Sequence, residues 1–124
     1  MMQKIAVVTE NGRQVSSHFG MAPAYQVYSV EDGRVVAEEQ RLKPYHAHHP
    51  DHTRAHAGHG LHEDMFAPIH DCQVLICGGM GTPAYQKALA AGLDVVLAGG
   101  DMRAAVDDFL LGQLTSDPRR IHQH

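Results

Sequence analysis

The sequence predicts a single layered α/β domain: a five-stranded mixed sheet, with an antiparallel hairpin at one edge and helices on its faces. Three observations favour this fold class. Residues 4–9 form a continuous apolar run, typical of a strand buried on both faces. Asp32-Gly33 separates two strand-like segments, which is a strong hairpin signal. From residue 61 onward, short apolar runs alternate with helical patterns, which indicates parallel crossovers.

The first half of the chain predicts three strands. The first covers residues 4–9, and a polar loop follows it as far as Ala22. Residues 24–30 alternate apolar and polar side chains, and residues 34–41 return beside them as the partner strand. Residues 43–62 contain seven histidines and show no periodic apolar face, so we expect a long histidine-rich loop there.

The second half predicts strands at residues 73–77 and 94–98, each followed by a helix. We expect a short helix over residues 61–67, ended by Pro68. Thr82 is expected to cap the next helix and Asp101 the last one, because both residue types accept hydrogen bonds from helix N-termini. In the last helix, apolar side chains recur at helical spacing from residue 102 to 110. The polar tail at residues 113–124 is predicted to be loose.

Length and charge exclude several classes of function. A chain of 124 residues has room for one hydrophobic core, so residues 1–124 are predicted to form one domain. The formal net charge is −4 and no basic stripe is present, which argues against a nucleic-acid partner. No apolar stretch reaches the roughly 18 residues that a membrane span needs. We therefore expect a cytoplasmic protein.

The two cysteines, Cys72 and Cys77, flank an apolar run that is predicted to be a strand. At about 3.3 Å per residue, their Cα atoms would lie roughly 16 Å apart. A disulfide needs less than about 7 Å, so both are expected to be free thiols.

Ligands of such sheets bind beyond the carboxyl ends of the parallel strands. Three loops are expected to meet there: residues 10–22, 78–82 and 99–101. Two of them are glycine-rich turns that open helices, so the amides of Gly78, Gly79, Gly81 and Gly100 are candidates for binding an anion, including a metal–sulfide cluster. Two alternatives stay open, namely that the glycines only make tight turns, or that residues 79–84 form a short dinucleotide-binding motif.

Two groups of histidines are candidate metal ligands. His18 lies in the loop after the first strand, where an imidazole would suit iron or zinc. The second group lies in the histidine-rich loop and could collect several nitrogens on one divalent ion such as zinc or nickel; it comprises His46, His48, His49, His52, His56, His59 and His62. A solvated loop without a metal is the alternative for this second group. The sequence contains no nucleophile elbow, Walker loop or HExxH motif, so we expect no catalysis.

Several segments, taken in order, resemble the dinitrogenase iron–molybdenum cofactor biosynthesis family, the NifX-like domain. They are Lys4-Ile5-Ala6-Val7-Val8-Thr9, Val15-Ser16-Ser17-His18-Phe19-Gly20, Asp32-Gly33, Cys77-Gly78-Gly79-Met80-Gly81 and Gly99-Gly100. The resemblance covers roughly residues 3–114 without the histidine-rich loop. It implies a ribonuclease H-like fold and a non-catalytic carrier of iron–sulfur or iron–molybdenum clusters or their precursors, as in nitrogen fixation. A metallocluster donor or acceptor protein would be the partner.

The resemblance also makes the motif histidine, His18, the first candidate ligand. Cys77 is a candidate thiolate partner from its own position beside the glycine turn. The histidine-rich loop departs from the family pattern and leaves an alternative function open, a zinc or nickel buffer or chaperone. A nuclease is disfavoured, because the acidic residues that it needs are not placed on the predicted strands.

Overall fold

The computed structural model describes residues 2–20, 22–43 and 65–122. The described strands are β1 (Met2–Thr9), β2 (Ala24–Glu31), β3 (Arg34–Leu42), β4 (Val74–Cys77), β5 (Met80–Gly81), β6 (Asp94–Leu97) and β7 (Ile121–His122). The described α-helices are α1 (Thr82–Ala90) and α2 (Met102–Leu110). The main sheet has five strands in the order β3-β2-β1-β4-β6. β1 pairs with β2, and β2 with β3, in antiparallel fashion, whereas β1, β4 and β6 run parallel. The predicted five-stranded mixed sheet is confirmed.

The hairpin forms one edge of the sheet, as the sequence predicts. Asp32 and Gly33 join β2 to β3, and both adopt positive φ angles, 53° and 77°. Such angles suit a two-residue turn whose twist matches that of the strands, and Asp-Gly is a preferred pair for it. β3 is the outer strand, and most of its side chains are exposed.

Apolar side chains cover both faces of the sheet and form two layers of core. Residues 5–8 of β1 and all of β4 are fully buried, because helices or loops cover both faces there. One face packs against α1 and the segment 65–73, and the other against α2. The two α-helices have nine residues each, and no helix in the described ranges is long and apolar enough to cross a membrane.

The two α-helices begin differently. Asp101 caps α2 as predicted, since its side chain accepts a hydrogen bond of 2.9 Å from the Ala104 amide. The predicted cap of α1 is wrong. Thr82 is its first helical residue and Gly81 is the N-cap, with no side-chain hydrogen bond. A side-chain cap is less necessary at this helix start because Pro83 has no N–H that needs an acceptor and its φ angle is already helical.

The segment before β4 differs from the predicted helix over residues 61–67. Residues 61–64 lie outside the described part of the chain, and Ala67–Ile69 form a single 3₁₀ turn that contains Pro68. Proline therefore lies within the turn instead of ending a helix. Ion pairs hold the segment to the sheet: the Asp71 carboxylate accepts hydrogen bonds from Lys4 Nζ at 3.0 Å and Arg41 Nη1 at 2.6 Å. The Arg41 guanidinium lowers the pKa of Asp71 well below its usual range.

The tail is bound to the sheet, in contrast to the loose tail that the sequence predicts. The Asp117 amide donates to the Leu97 carbonyl at 2.9 Å, and the Leu97 amide donates to Ser116 Oγ at 2.9 Å. β7 pairs in parallel with β5. The Arg120 guanidinium donates to the Gly78 carbonyl at 3.0 Å. The tail therefore satisfies backbone groups at the carboxyl ends of β4 and β6.

We expect Ser116→Ala to lower the free energy of unfolding by about 1–3 kcal/mol, because a buried amide at Leu97 would lose its acceptor. Urea denaturation measures this change. Thr115→Ala is the matched control, because it removes an exposed hydroxyl from the neighbouring residue. Equal stability of the two variants would contradict the role of the tail.

Candidate functional site

Residues 10–20, called the site loop here, leave the carboxyl end of β1 and cross the ends of the neighbouring strands. The Ser16 amide donates to the Val8 carbonyl at 2.7 Å, and the Ser16 carbonyl accepts from the Gly78 amide at 2.8 Å. The Phe19 amide donates to the Gly79 carbonyl at 3.0 Å. These backbone bonds fix the loop against the ends of β1 and β4.

A second set of bonds ties the site loop to the turn before α2. The Val15 amide donates to the Gly100 carbonyl at 2.8 Å, and the Met102 amide donates to the Arg13 carbonyl at 2.9 Å. The three predicted loops therefore meet at one end of the sheet. The amide of Gly78 and the carbonyl of Gly100 are engaged in holding the site loop, and Gly81 lies in β5 beside β7. Direct contact of these glycines with a ligand stays a prediction.

His18 is exposed on this loop. The Ser16 hydroxyl organises the backbone beside it: Ser16 Oγ accepts from the His18 amide at 3.1 Å and donates to Glu10 Oε2 at 2.8 Å. The loop surrounds an open depression of about 250 Å³. The lining residues are Glu10, Asn11, Gln14, Val15, Ser16, Ser17 and His18. The depression thus offers an imidazole, a carboxylate and several hydroxyl or amide groups to a ligand.

Cys77 lies beneath the loop instead of on its surface. Its side chain is fully buried, with Sγ at 3.0 Å from the Gly79 carbonyl and 4.0 Å from the Ser16 carbonyl. Burial raises the pKa of the Cys77 thiol to about 11, so the neutral thiol prevails at neutral pH. Burial likewise raises the pKa of Cys72 to about 12. Both cysteines are free, as predicted.

The seven histidines of the histidine-rich loop fall outside the described residues, so their role as ligands stays a prediction. Their positions are His46, His48, His49, His52, His56, His59 and His62. In the described ranges, no three His, Cys, Asp or Glu side chains are grouped so as to hold a metal ion.

Sequence reasoning missed two residues near His18. The sequence places Glu10 in the loop after the first strand but does not single it out, yet its carboxylate is bound to Ser16 and lines the depression. Lys43 was placed in the histidine-rich loop, yet its side chain is fully buried. A serine six residues after an acidic residue is too common a pattern to predict the first contact, and no local pattern distinguishes a buried lysine from an exposed one.

Comparisons with known proteins agree with this architecture. The model of the family described as dinitrogenase iron-molybdenum cofactor matches residues 1–112. The apo form of the orange protein from Desulfovibrio gigas is 28% identical, with a TM-score of 0.64 over 94% of each chain. A putative dinitrogenase from Methanocaldococcus jannaschii is 14% identical, with a TM-score of 0.64 over 94% of this chain and 96% of that one. A putative NifB protein from Thermotoga is 22% identical, with a TM-score of 0.60 over 92% of each chain. No curated protein sequence matches.

Proposed function

Because the chain belongs to the dinitrogenase iron-molybdenum cofactor family, we propose that it is a non-catalytic carrier of an iron–sulfur or iron–molybdenum type cluster, or of a precursor of one. The cluster is the cargo of the protein, received from one metallocluster-handling protein and passed to another. The ribonuclease H-like relationship that the resemblance implies stays a prediction.

One observation carries the proposal: His18 is an exposed imidazole on a loop whose backbone is fixed to three neighbouring elements. Hydrogen bonds on either side of His18, at Ser16 and Phe19, hold the loop to β1 and to the turn after β4. A ligand presented on a rigid support loses little conformational entropy when it binds. Imidazole also suits iron without adding negative charge to an anionic cluster.

The donor set fits a cargo that already carries its own ligands. A preformed cluster brings bridging sulfides, so a single protein ligand and hydrogen-bond donors around it suffice for attachment. The depression beside His18 offers such donors, among them the exposed Ser17. In this geometry the Cys77 thiol is fully buried beneath the site loop, so Cys77 could bind the cluster only if that loop moved.

We expect the His18→Ala variant to retain at least about tenfold less cluster than wild type. Mutating a residue that only hydrogen-bonds to a metal ligand typically lowers metal affinity 10- to 100-fold, so removing the ligand itself should cost at least as much. The protein is reconstituted with ferrous iron and sulfide under argon and desalted, and iron and sulfide per chain are then measured with the visible spectrum. His70→Ala is the matched control, since His70 is also exposed but lies in the segment before β4.

Two further variants separate the alternatives. Cys77→Ala is expected to keep the cluster, because the thiol is buried beneath the loop. A deletion of residues 46–60 tests the histidine-rich loop. Full occupancy in His18→Ala together with loss in the deletion would show that His18 is not the primary ligand.

A further inference from the structure

A buried ammonium group lies directly behind the site loop. Lys43 follows β3, and its side chain is 0% exposed. Its Nζ donates a hydrogen bond to the Phe19 carbonyl and lies 3.7 Å from the centroid of the Phe19 ring and 5.5 Å from that of Tyr25. Its own amide donates to the Pro23 carbonyl at 2.9 Å. The ammonium therefore faces a carbonyl dipole and two aromatic rings.

This charge has no carboxylate beside it in residues 2–20, 22–43 and 65–122. The titratable groups that face it there are the Cys77 thiol on β4 and the Tyr25 phenol on β2. Burial lowers the pKa of Lys43 to about 8, which means that the fold destabilises the charged form. A buried charge without an ionic partner is a poor stabiliser, so stability alone does not explain Lys43.

Lys43 instead completes a set of contacts around Phe19, the residue after His18. The Phe19 ring stacks on Phe66, with centroids 5.3 Å apart, and the Phe19 amide donates to the Gly79 carbonyl. Lys43 binds the remaining polar group, the Phe19 carbonyl, and covers the ring. The Ala22 amide then closes the turn on the His18 carbonyl at 3.1 Å. The backbone that follows His18 is thus held on several sides, and Lys43 is the one buried charge among the described residues that contact it.

We propose that Lys43 is a positioning residue for cargo binding: its buried ammonium holds the turn at residues 18–20 in the conformation that presents His18, and it places one positive charge behind the site. This inference rests on the proposed carrier function. Lys43 lowers the stability of the cargo-free protein but strengthens cluster binding. An anionic cluster binds more tightly to an imidazole held in place and near a positive charge that solvent screens poorly.

The test compares Lys43→Met, which keeps the length of the side chain and removes its charge, with Lys43→Arg, which keeps the charge. We expect Lys43→Met to raise the Tm of the cargo-free protein by roughly 5 °C at pH 7, because a destabilising buried charge is gone. The same variant is expected to retain about tenfold less cluster after reconstitution with ferrous iron and sulfide. Lys43→Arg should recover part of that retention.

Amide hydrogen exchange of the cargo-free protein gives a second readout of positioning. In Lys43→Met, we expect roughly tenfold faster exchange at Phe19 and Ala22, with unchanged exchange at Ile76 in β4. If Lys43 had only a packing role, the Lys43→Met substitution would lower both Tm and cluster retention. That result would overturn the inference, and so would a Lys43→Met protein that does not fold. Full cluster retention in Lys43→Met would overturn it as well. Equal retention in wild type and His18→Ala would show that His18 is not the primary ligand, whereas a wild-type protein that retains no cluster would count against the carrier function itself.

Discussion

Gly78→Ala is expected to destabilise the protein by about 1–3 kcal/mol, at the upper end of that range, and to weaken cluster binding at His18 in parallel. A Cβ at this position would lie 2.7 Å from the Ser16 carbonyl oxygen and 3.2 Å from both the Ser16 carbonyl carbon and Ser17 Cα. All three are backbone atoms, so a change of side-chain rotamer cannot relieve the contact. The site loop would have to move away from the end of β4, and the bond from the Gly78 amide to Ser16 would lengthen or break.

Gly20→Ala provides the matched control for this variant. Gly20 belongs to the same loop, but a Cβ there would meet no atom within 4 Å. Urea denaturation and cluster retention are measured for both variants. A Gly78→Ala protein as stable as Gly20→Ala would mean that the site loop does not pack against β4 in the described manner.

Above about pH 9 the ionisation of Cys77 is expected to lower the free energy of unfolding, and this residue alone contributes a loss of roughly 2 kcal/mol by pH 11. The thiol has an ordinary pKa of 9.0 in the unfolded chain, and burial raises the pKa of Cys77 to about 11. Between these values the folded state binds a proton that the unfolded state has lost, so stability falls as pH rises. Cys72, with its pKa raised to about 12, acts in the same direction.

Lys43 acts in the opposite direction over part of this window. Because its pKa is lowered from 10.5 to about 8 on folding, the unfolded state binds more protons between these values, and stability rises with pH. The Cys77 contribution is therefore isolated by comparing wild type with Cys77→Ala under reducing conditions in chemical denaturation between pH 8 and 11. The free energies of unfolding of the two proteins will differ by a constant amount, because Cys77→Ala removes packing contacts. They will also differ in the slope of that free energy against pH. Identical slopes would show that Cys77 ionises as easily in the folded state as in the unfolded one.

The candidate site was only partly predictable. His18 could be found because a residue motif and its position after a strand are both local features. The convergence of three loops also followed from the predicted order of parallel strands. The contacts that the glycine turns make could not be predicted from the sequence. Gly78 and Ser16 are distant in sequence, and only their contact shows that the Gly78 amide binds the loop.

The sequence by itself determined the five main strands, the Asp-Gly hairpin and the last helix, because periodic burial and turn preferences act over a few neighbouring residues. Only the tertiary structure decided where the polar groups go. Lys43 is buried because Phe19, 24 residues away, offers it a carbonyl and a ring. The tail is bound to the sheet partly because Arg120 donates to the carbonyl of Gly78, 42 residues away. A hydrogen-bonding group at the end of a strand must find a partner, and the partner's position in the sequence depends on how the chain packs.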